Sequence, residues 1–347
     1  MNIQSTDRFP QLSKQVEWLE KADFECKLVV AGNHDLTLDA EFYEEFGKYF
    51  HNRNPQDPAR CRELLAGSPS LTYLEHAGRA VRLASPTGPR TAFSVFGSPY
   101  TPRYGKWAFQ YAAGDDAAAD ALWRDIPPDT DVVVTHGPAH LHRDESQKGA
   151  QGCEGLRRAL WRVRPKLALC GHIHDARGAE RVRWDLRSRH VRYKELAVEP
   201  WDDPAEGNDK NSLIDLTARG GNPIDNVDAV ATFDLALPPS RDTGVQPSAG
   251  ESGPAAAAEA EAEAEIGVAR PGIGTRGLSG SPASARSDQA ALAGRLGRRE
   301  TCFVNCAIQT ASYPHRGGGP RVLNKPIVVD LDLPVWDDSD PRSPPPV

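Results

Sequence analysis

Three short polar segments, Gly32-Asn33-His34-Asp35, Thr135-His136-Gly137-Pro138 and Gly171-His172-Ile173-His174, each follow a short apolar run, at residues 27–31, 131–134 and 166–170 respectively. Such runs read as strands buried on both faces. In layered α/β chains, residues just past the carboxyl ends of strands collect around the ligand site. The pattern therefore predicts that three separate strands bring the imidazoles of His34, His136, His172 and His174 and the carboxamide of Asn33 to one edge. Neutral donors of this kind suit borderline divalent metals such as Mn, Fe, Zn or Co. A single histidine after a strand is more often a hydrogen-bonded structural residue, so it is the ordered set of three that points to a site. Gly32, Gly137 and Gly171 flank these groups, where a glycine lets the backbone turn sharply and approach an ion or phosphate closely. Asp35, next to His34, is expected to orient that imidazole and raise its basicity, making His34 a proton donor.

The pattern around these segments mixes helices with strands. Leu12, Val16 and Leu19 predict a helix over 9–21, with Asp7 as its cap. Phe42, Phe46 and Phe50 recur at helical spacing after Asp39 and read as a core-facing stripe. Residues 71–74, 80–83 and 91–96 read as strands, 115–126 and 154–163 as helices, and Pro165 closes the second of these. Tyr100, Trp107 and Phe109 follow a strand end and would either stack an aromatic group or join the core. His140 and His142, near His136, would either line the pocket or face solvent from a loop, and the second is the expectation.

Composition divides the chain. Hydrophobic residues make up only 39% of 347, with 30 Gly and 29 Pro, and residues 234–299 are dominated by Ala, Gly, Pro, Ser and Glu, with 255–265 only Ala and Glu. Such a stretch has no apolar face to bury and is expected to be a disordered insertion. The predicted organisation is a domain at 1–200, a low-complexity insertion at 201–300, closing strands of the same domain at 301–335 and a tail at 336–347. A net charge of −7 without a basic block argues against non-specific nucleic-acid binding. No stretch is apolar enough to span a bilayer and the first residues lack a secretory pattern, so a cytoplasmic location is expected. The six cysteines are scattered and read as reduced thiols.

The ordered segments resemble the calcineurin-like metallophosphoesterases, whose signature runs Asp-x-His, Gly-Asp, Gly-Asn-His-Asp/Glu, His, Gly-His-x-His. Gln15-Val16-Glu17-Trp18-Leu19, Gly97-Ser98-Pro99-Tyr100, Trp107-Ala108-Phe109, Gly152-Cys153-Glu154 and Arg164-Pro165-Lys166 are similar to the small metallophosphoesterase-domain-containing subgroup, as are 301–307 and 324–330. The resemblance covers about residues 9–185 and 301–333. It implies an α/β (α+β) four-layer sandwich, with two mixed β-sheets flanked by helices, and two divalent metals (Mn, Fe or Zn) about 3.5–4 Å apart. Carried over by motif, Asn33, His136 and His172 would bind the second metal and His174 the first, with His34 as general acid and Asp35 its partner. The implied reaction is phosphodiester hydrolysis by a metal-activated hydroxide, on a small phosphoester for which a nucleotide is one candidate.

The Asp-x-His and Gly-Asp segments of the family pattern are absent here. They supply an Asp and a His to the first metal and a carboxylate that bridges both. Two dications held close together need anionic oxygen, so a single bound metal is expected. The domain would be N-terminally truncated, lacking its first strands, and the reading frame is expected to continue upstream of Met1. The alternative function is a catalytically inactive binding or regulatory protein of the same fold.

Overall fold

Pro10 sits in the first turn of a helix, where a missing N–H leaves no bond unmade, and the apolar spacing of Leu12 and Val16 carries that helix, α1, over Phe9–Lys21. The computed structural model describes residues 8–185, 195–226, 298–310 and 323–336. Strand β1 (Leu28–Val29) follows, then α2 (Ala40–His51) and α3 (Pro58–Ala66). Asp39 and Asp57 cap these two helices, accepting from Phe42 N at 3.0 Å and Arg60 N at 3.2 Å. Next come β2 (Thr72–Tyr73), β3 (Ala77–Arg82), β4 (Ala92–Ser98), the small strands β5 (Thr101–Pro102) and β6 (Gln110–Tyr111), and α4 (Asp116–Trp123). They are followed by β7 (Val132–Thr135), the hairpin of β8 (Glu145–Ser146) and β9 (Gly149–Ala150), α5 (Glu154–Val163) and β10 (Leu167–Cys170). The last strands are β11 (Gly178–Trp184), β12 (Glu195–Pro200), β13 (Ser212–Leu216), β14 (Glu300–Asn305) and β15 (Ile327–Leu331).

A seven-stranded sheet in the order β12-β11-β14-β10-β7-β4-β3 forms the centre. Its middle strands β14, β10, β7 and β4 run parallel, and antiparallel strands flank them on both sides. One face carries Phe96, Val133, Ala168 and Phe303 against Trp123, Leu156 and Leu160 of α4 and α5. The other face, with Val95, Val132, Leu167 and Val304, packs on Leu28, Leu74, Ile214 and Val329. These come from two separate parallel pairs, β1–β2 and β13–β15, which make up the second sheet. Helices α1, α2 and α3 cover β1 and β2 on the outside through Leu12, Val16, Tyr43 and Leu65. The result is helix, mixed sheet, sheet, helix: the mixed α/β sandwich with flanking helices that the sequence implies.

Several expectations change in detail. The second sheet is present as two two-stranded pieces rather than one continuous sheet. The insertion is narrower than 201–300, because Ser212–Leu216 pairs with Ile327–Leu331 and Glu300 already belongs to the central sheet. A neck closes there: Asn226 bridges Arg298, and Asn226 Oδ1 accepts from Arg299 N and Glu300 N at 2.7 and 2.9 Å. Residues 227–297 lie outside the described residues, as does Asp7. Trp336, placed in the tail by sequence, is buried, donates to Leu83 O at 2.7 Å and lies under the guanidinium groups of Arg82 and Arg90. On α2 the buried positions are Tyr43, Gly47 and His51, so the Phe42, Phe46 and Phe50 stripe flanks the core rather than filling it. The helix at 58–66 and the strands β11, β12 and β13 had no distinct periodicity to announce them. The six cysteines are free thiols, and among the described residues no helix is long and apolar enough to cross a membrane.

Candidate active site

The three polar segments stand where the apolar runs place them, past the carboxyl ends of β1, β7 and β10. Strands β7 and β10 are parallel neighbours, with Leu167 opposite Val132, so the turns after them are adjacent and Gly171 N donates to His136 O at 3.1 Å. Strand β1 belongs to the other sheet. Its segment reaches across, and Asn33 Oδ1 accepts from His136 Nε2 at 2.8 Å. A carbonyl oxygen only accepts, so His136 carries its proton on Nε2. The His136 and His172 rings lie 4.7 Å apart between centroids, and the His34 ring lies 4.1 Å from that of Trp107, tilted by 53°.

Close approach makes Gly32 necessary: a Cβ there would sit 2.6 Å from His136 Cε1. Gly171 has no such reason, since a Cβ there meets nothing within 4 Å. His172 adopts φ 65°, a left-handed conformation that side-chain-bearing residues rarely hold without surrounding support.

Burial favours the neutral forms of His34, His136 and His172. Burial, then the neighbouring His172, drives the His136 pKa well below its ordinary value, with His34 and His174 adding to the effect. Burial, followed by His174 and His34, brings His172 down to about 4. His34 is lowered by burial and by His174, and its Nδ1 is buried with no hydrogen-bond partner among the described residues.

Asp35 departs from its expected part. Its carboxylate turns back to accept from Gly32 N at 2.6 Å, while Asp35 N donates to Gly32 O at 3.0 Å, so it shapes the turn instead of orienting His34. Burial, only partly offset by that bond, raises its pKa to about 6. Phe109 is core, Trp107 is half-buried against His34, and His142 is 2% exposed rather than facing solvent. Two residues not picked out as site residues also reach the site's loops: Asn305, at the end of β14 in the 301–307 stretch that resembles the subgroup, and Arg143. Local patterning does not assign them a role, because what distinguishes them is long-range hydrogen bonding.

The donors present do not match a two-metal centre. Among the described residues no group of three or more His, Cys, Asp or Glu side chains is disposed to hold a metal ion. The Nε2 of His136 is bonded to Asn33 Oδ1, and the carboxylate beside His34, Asp35, accepts from Gly32 N. Side-by-side dications need an anionic oxygen between them, and this cluster offers neutral groups.

Comparison with known proteins gives a consistent pattern. Residues 6–176 match the family described as calcineurin-like phosphoesterase. A segment of 175 residues is 33% identical to metallophosphoesterase domain-containing protein 1 of Homo sapiens, covering 48% of this chain and 50% of that protein. A 181-residue segment is 39% identical to a probable rhamnogalacturonate lyase C of Emericella nidulans, covering 52% of this chain and 15% of that much longer protein. UPF0046 protein T07D4.2 of Caenorhabditis elegans is 29% identical over 167 residues, 46% of this chain and 41% of its own length. The chain thus spans half or less of each of these relatives.

Proposed function

This chain belongs to the calcineurin-like phosphoesterase superfamily, whose members are metal-dependent phosphoesterases, and we propose that it acts on small phosphodiesters at the cluster of Asn33, His34, His136, His172 and His174. The observation that carries this reading is the convergence of three strand-end segments from two sheets, joined by the Asn33–His136 bond. Neutral imidazoles packed together form a ring of N–H donors and lone pairs that a phosphoryl group, rich in acceptor oxygens, is suited to enter. His34 is the proton carrier: its buried Nδ1 has no hydrogen-bond partner among the described residues and is free to serve a leaving oxygen. Asn33 holds the His136 tautomer. With the donors arranged as they are, no step is assigned to a metal, and the identity of any ion (Mn, Fe or Zn) is open to measurement.

A second reading, a non-catalytic binding or regulatory module, is favoured by one observation: among the described residues no group of three or more His, Cys, Asp or Glu side chains is disposed to hold a metal ion. Hydrolysis of bis(4-nitrophenyl) phosphate separates the two. The protein should turn the ester over, and His34→Ala should cut kcat by about 10²–10⁴-fold. Purified protein that binds at most one metal and releases no nitrophenol supports the second reading.

A further inference from the structure

Asn305 ends β14, the strand between β10 and β11, where it stands opposite Cys170 on one side and Gly178 on the other. Its side chain is fully buried and all its hydrogen-bonding groups are engaged. Nδ2 donates to Ile173 O at 2.8 Å and to Arg143 O at 3.0 Å, while Oδ1 accepts from Ala307 N at 3.0 Å. Ile173 is the residue between His172 and His174. Arg143 closes the loop that starts at His136-Gly137-Pro138. One carboxamide therefore ties both histidine-bearing loops to the same strand end.

Arg143 adds a second tie. Its Nε donates to Ala176 O at 3.2 Å and its Nη2 to Arg177 O at 2.6 Å, gripping the short turn that follows His174. The guanidinium passes so close to Gly178, at φ 141°, that any side chain there would collide with it. The backbone of these loops is held in unfavourable conformations: His172 at φ 65°, Leu141 at φ 64° and Arg143 at φ 51°. Such conformations persist where the surroundings over-determine them, and the bonds of Asn305 and Arg143 provide that determination on both loops.

We propose that Asn305 and Arg143 are positioning residues that hold the His172–His174 turn against the His136 loop and so set the spacing of the site's imidazoles. The closing strand after the 227–297 excursion would thereby complete a site whose motifs all precede it. The proposal rests on reading the histidine cluster as the functional site. Its test is a long-range ¹H–¹⁵N spectrum of the imidazoles in the full chain, with cross-peaks assigned from His172→Gln and His174→Gln. Asn305→Asp keeps the shape but removes both donors; Arg143→Ala removes the second tie. Both should move the His172 and His174 signals and leave His51 and His76, which lie on other elements, in place. Arg143→Lys, which retains one donor, should restore part of the shift. If the His172 and His174 signals match wild type in both variants, or all ten histidines shift together, the proposal fails. Should Asn305→Asp not fold, Arg143→Ala and its Lys counterpart decide. In the same samples phosphodiester hydrolysis should lose about 10²-fold in kcat with KM little changed. A wild-type chain without turnover would count against the phosphoesterase reading alone, since the spectra judge positioning independently.

Discussion

Asn33 Oδ1 and His136 Nε2 are 2.8 Å apart across 103 residues of sequence, and the bond joins the end of a strand in one sheet to the end of a strand in the other. It fixes the His136 tautomer and is the shortest polar link between the two halves of the site among the bonds described above. Replacing the amide by a carboxylate tests it. Asn33→Asp should raise the His136 pKa from well below its ordinary value, because a charge-assisted bond favours the imidazolium. An NMR pH titration of the His136 ring reads this directly. Asn33→Leu should instead leave a buried N–H without an acceptor, lowering stability by about 1–3 kcal/mol in urea unfolding.

Gly32 and Gly171 look equivalent in the motifs and should behave differently. Gly32→Ala places a Cβ 2.6 Å from the His136 ring, so the ring or the turn must shift, at a cost of about 1–3 kcal/mol. Gly171→Ala meets nothing within 4 Å and should stay within about 0.5 kcal/mol of wild type. Equal denaturant midpoints for the two variants would refute the close-approach argument.

His142 should give the fold a pH dependence. Its Nδ1 is 2.7 Å from Glu180 Oε1 and its Nε2 3.3 Å from Glu195 Oε1, the ring stacks on Phe303, and Arg157 binds Glu195 from the far side at 2.7 Å. Burial pulls the His142 pKa down, but the two carboxylates outweigh it and leave the value raised. Burial likewise pushes Glu195 up, and His142 with Arg157 overcomes this to hold it at about 2. A raised folded value means the stabilisation is complete below the unfolded pKa of about 6.5. It is lost as pH climbs through the folded value. Urea midpoints should therefore fall from pH 6 toward pH 9, and His142→Gln should flatten that slope. His142→Ala, leaving the buried Glu180 carboxylate without its cation while Glu195 keeps Arg157, should cost about 3–5 kcal/mol.

The neck at residues 224–226 and 298–300 sets where the insertion can be cut. Deleting 228–296 with a short Gly-Ser link should preserve the fold and add roughly 1–2 kcal/mol by shortening the closed loop. Arg298 must stay, because its guanidinium pairs with Asp131 and donates to Thr130 O at 2.7 Å while its carbonyl accepts from Arg164 Nε at 2.9 Å. Arg298→Ala should cost about 3–5 kcal/mol. Thermal unfolding of the two variants side by side separates a dispensable segment from its anchors.

Much of this was readable because it is local. The helix at 154–163 has the bounds its spacing predicts, and the strands before His136 and His172 lie within about a residue of their apolar runs. The helix at 58–66 was not readable, since its charged composition leaves only Cys61 and Leu65 buried. Nor were β11 to β13, whose pairing partners include strands more than a hundred residues away, such as Glu180 opposite Phe303.

The sequence by itself determined which chemical groups stand at the strand ends, since an apolar run followed by glycine and histidine is a short-range pattern that any packing must respect. Tertiary structure alone decided what those groups do for one another. Asp35 turned to Gly32 rather than His34, Asn33 met His136, His142 found two carboxylates, and Asn305 joined two loops it does not touch in sequence. The physical reason is that a polar side chain's role is set by which buried partner completes its hydrogen bonds, and that partner is chosen by the folded sheets, not by neighbours along the chain.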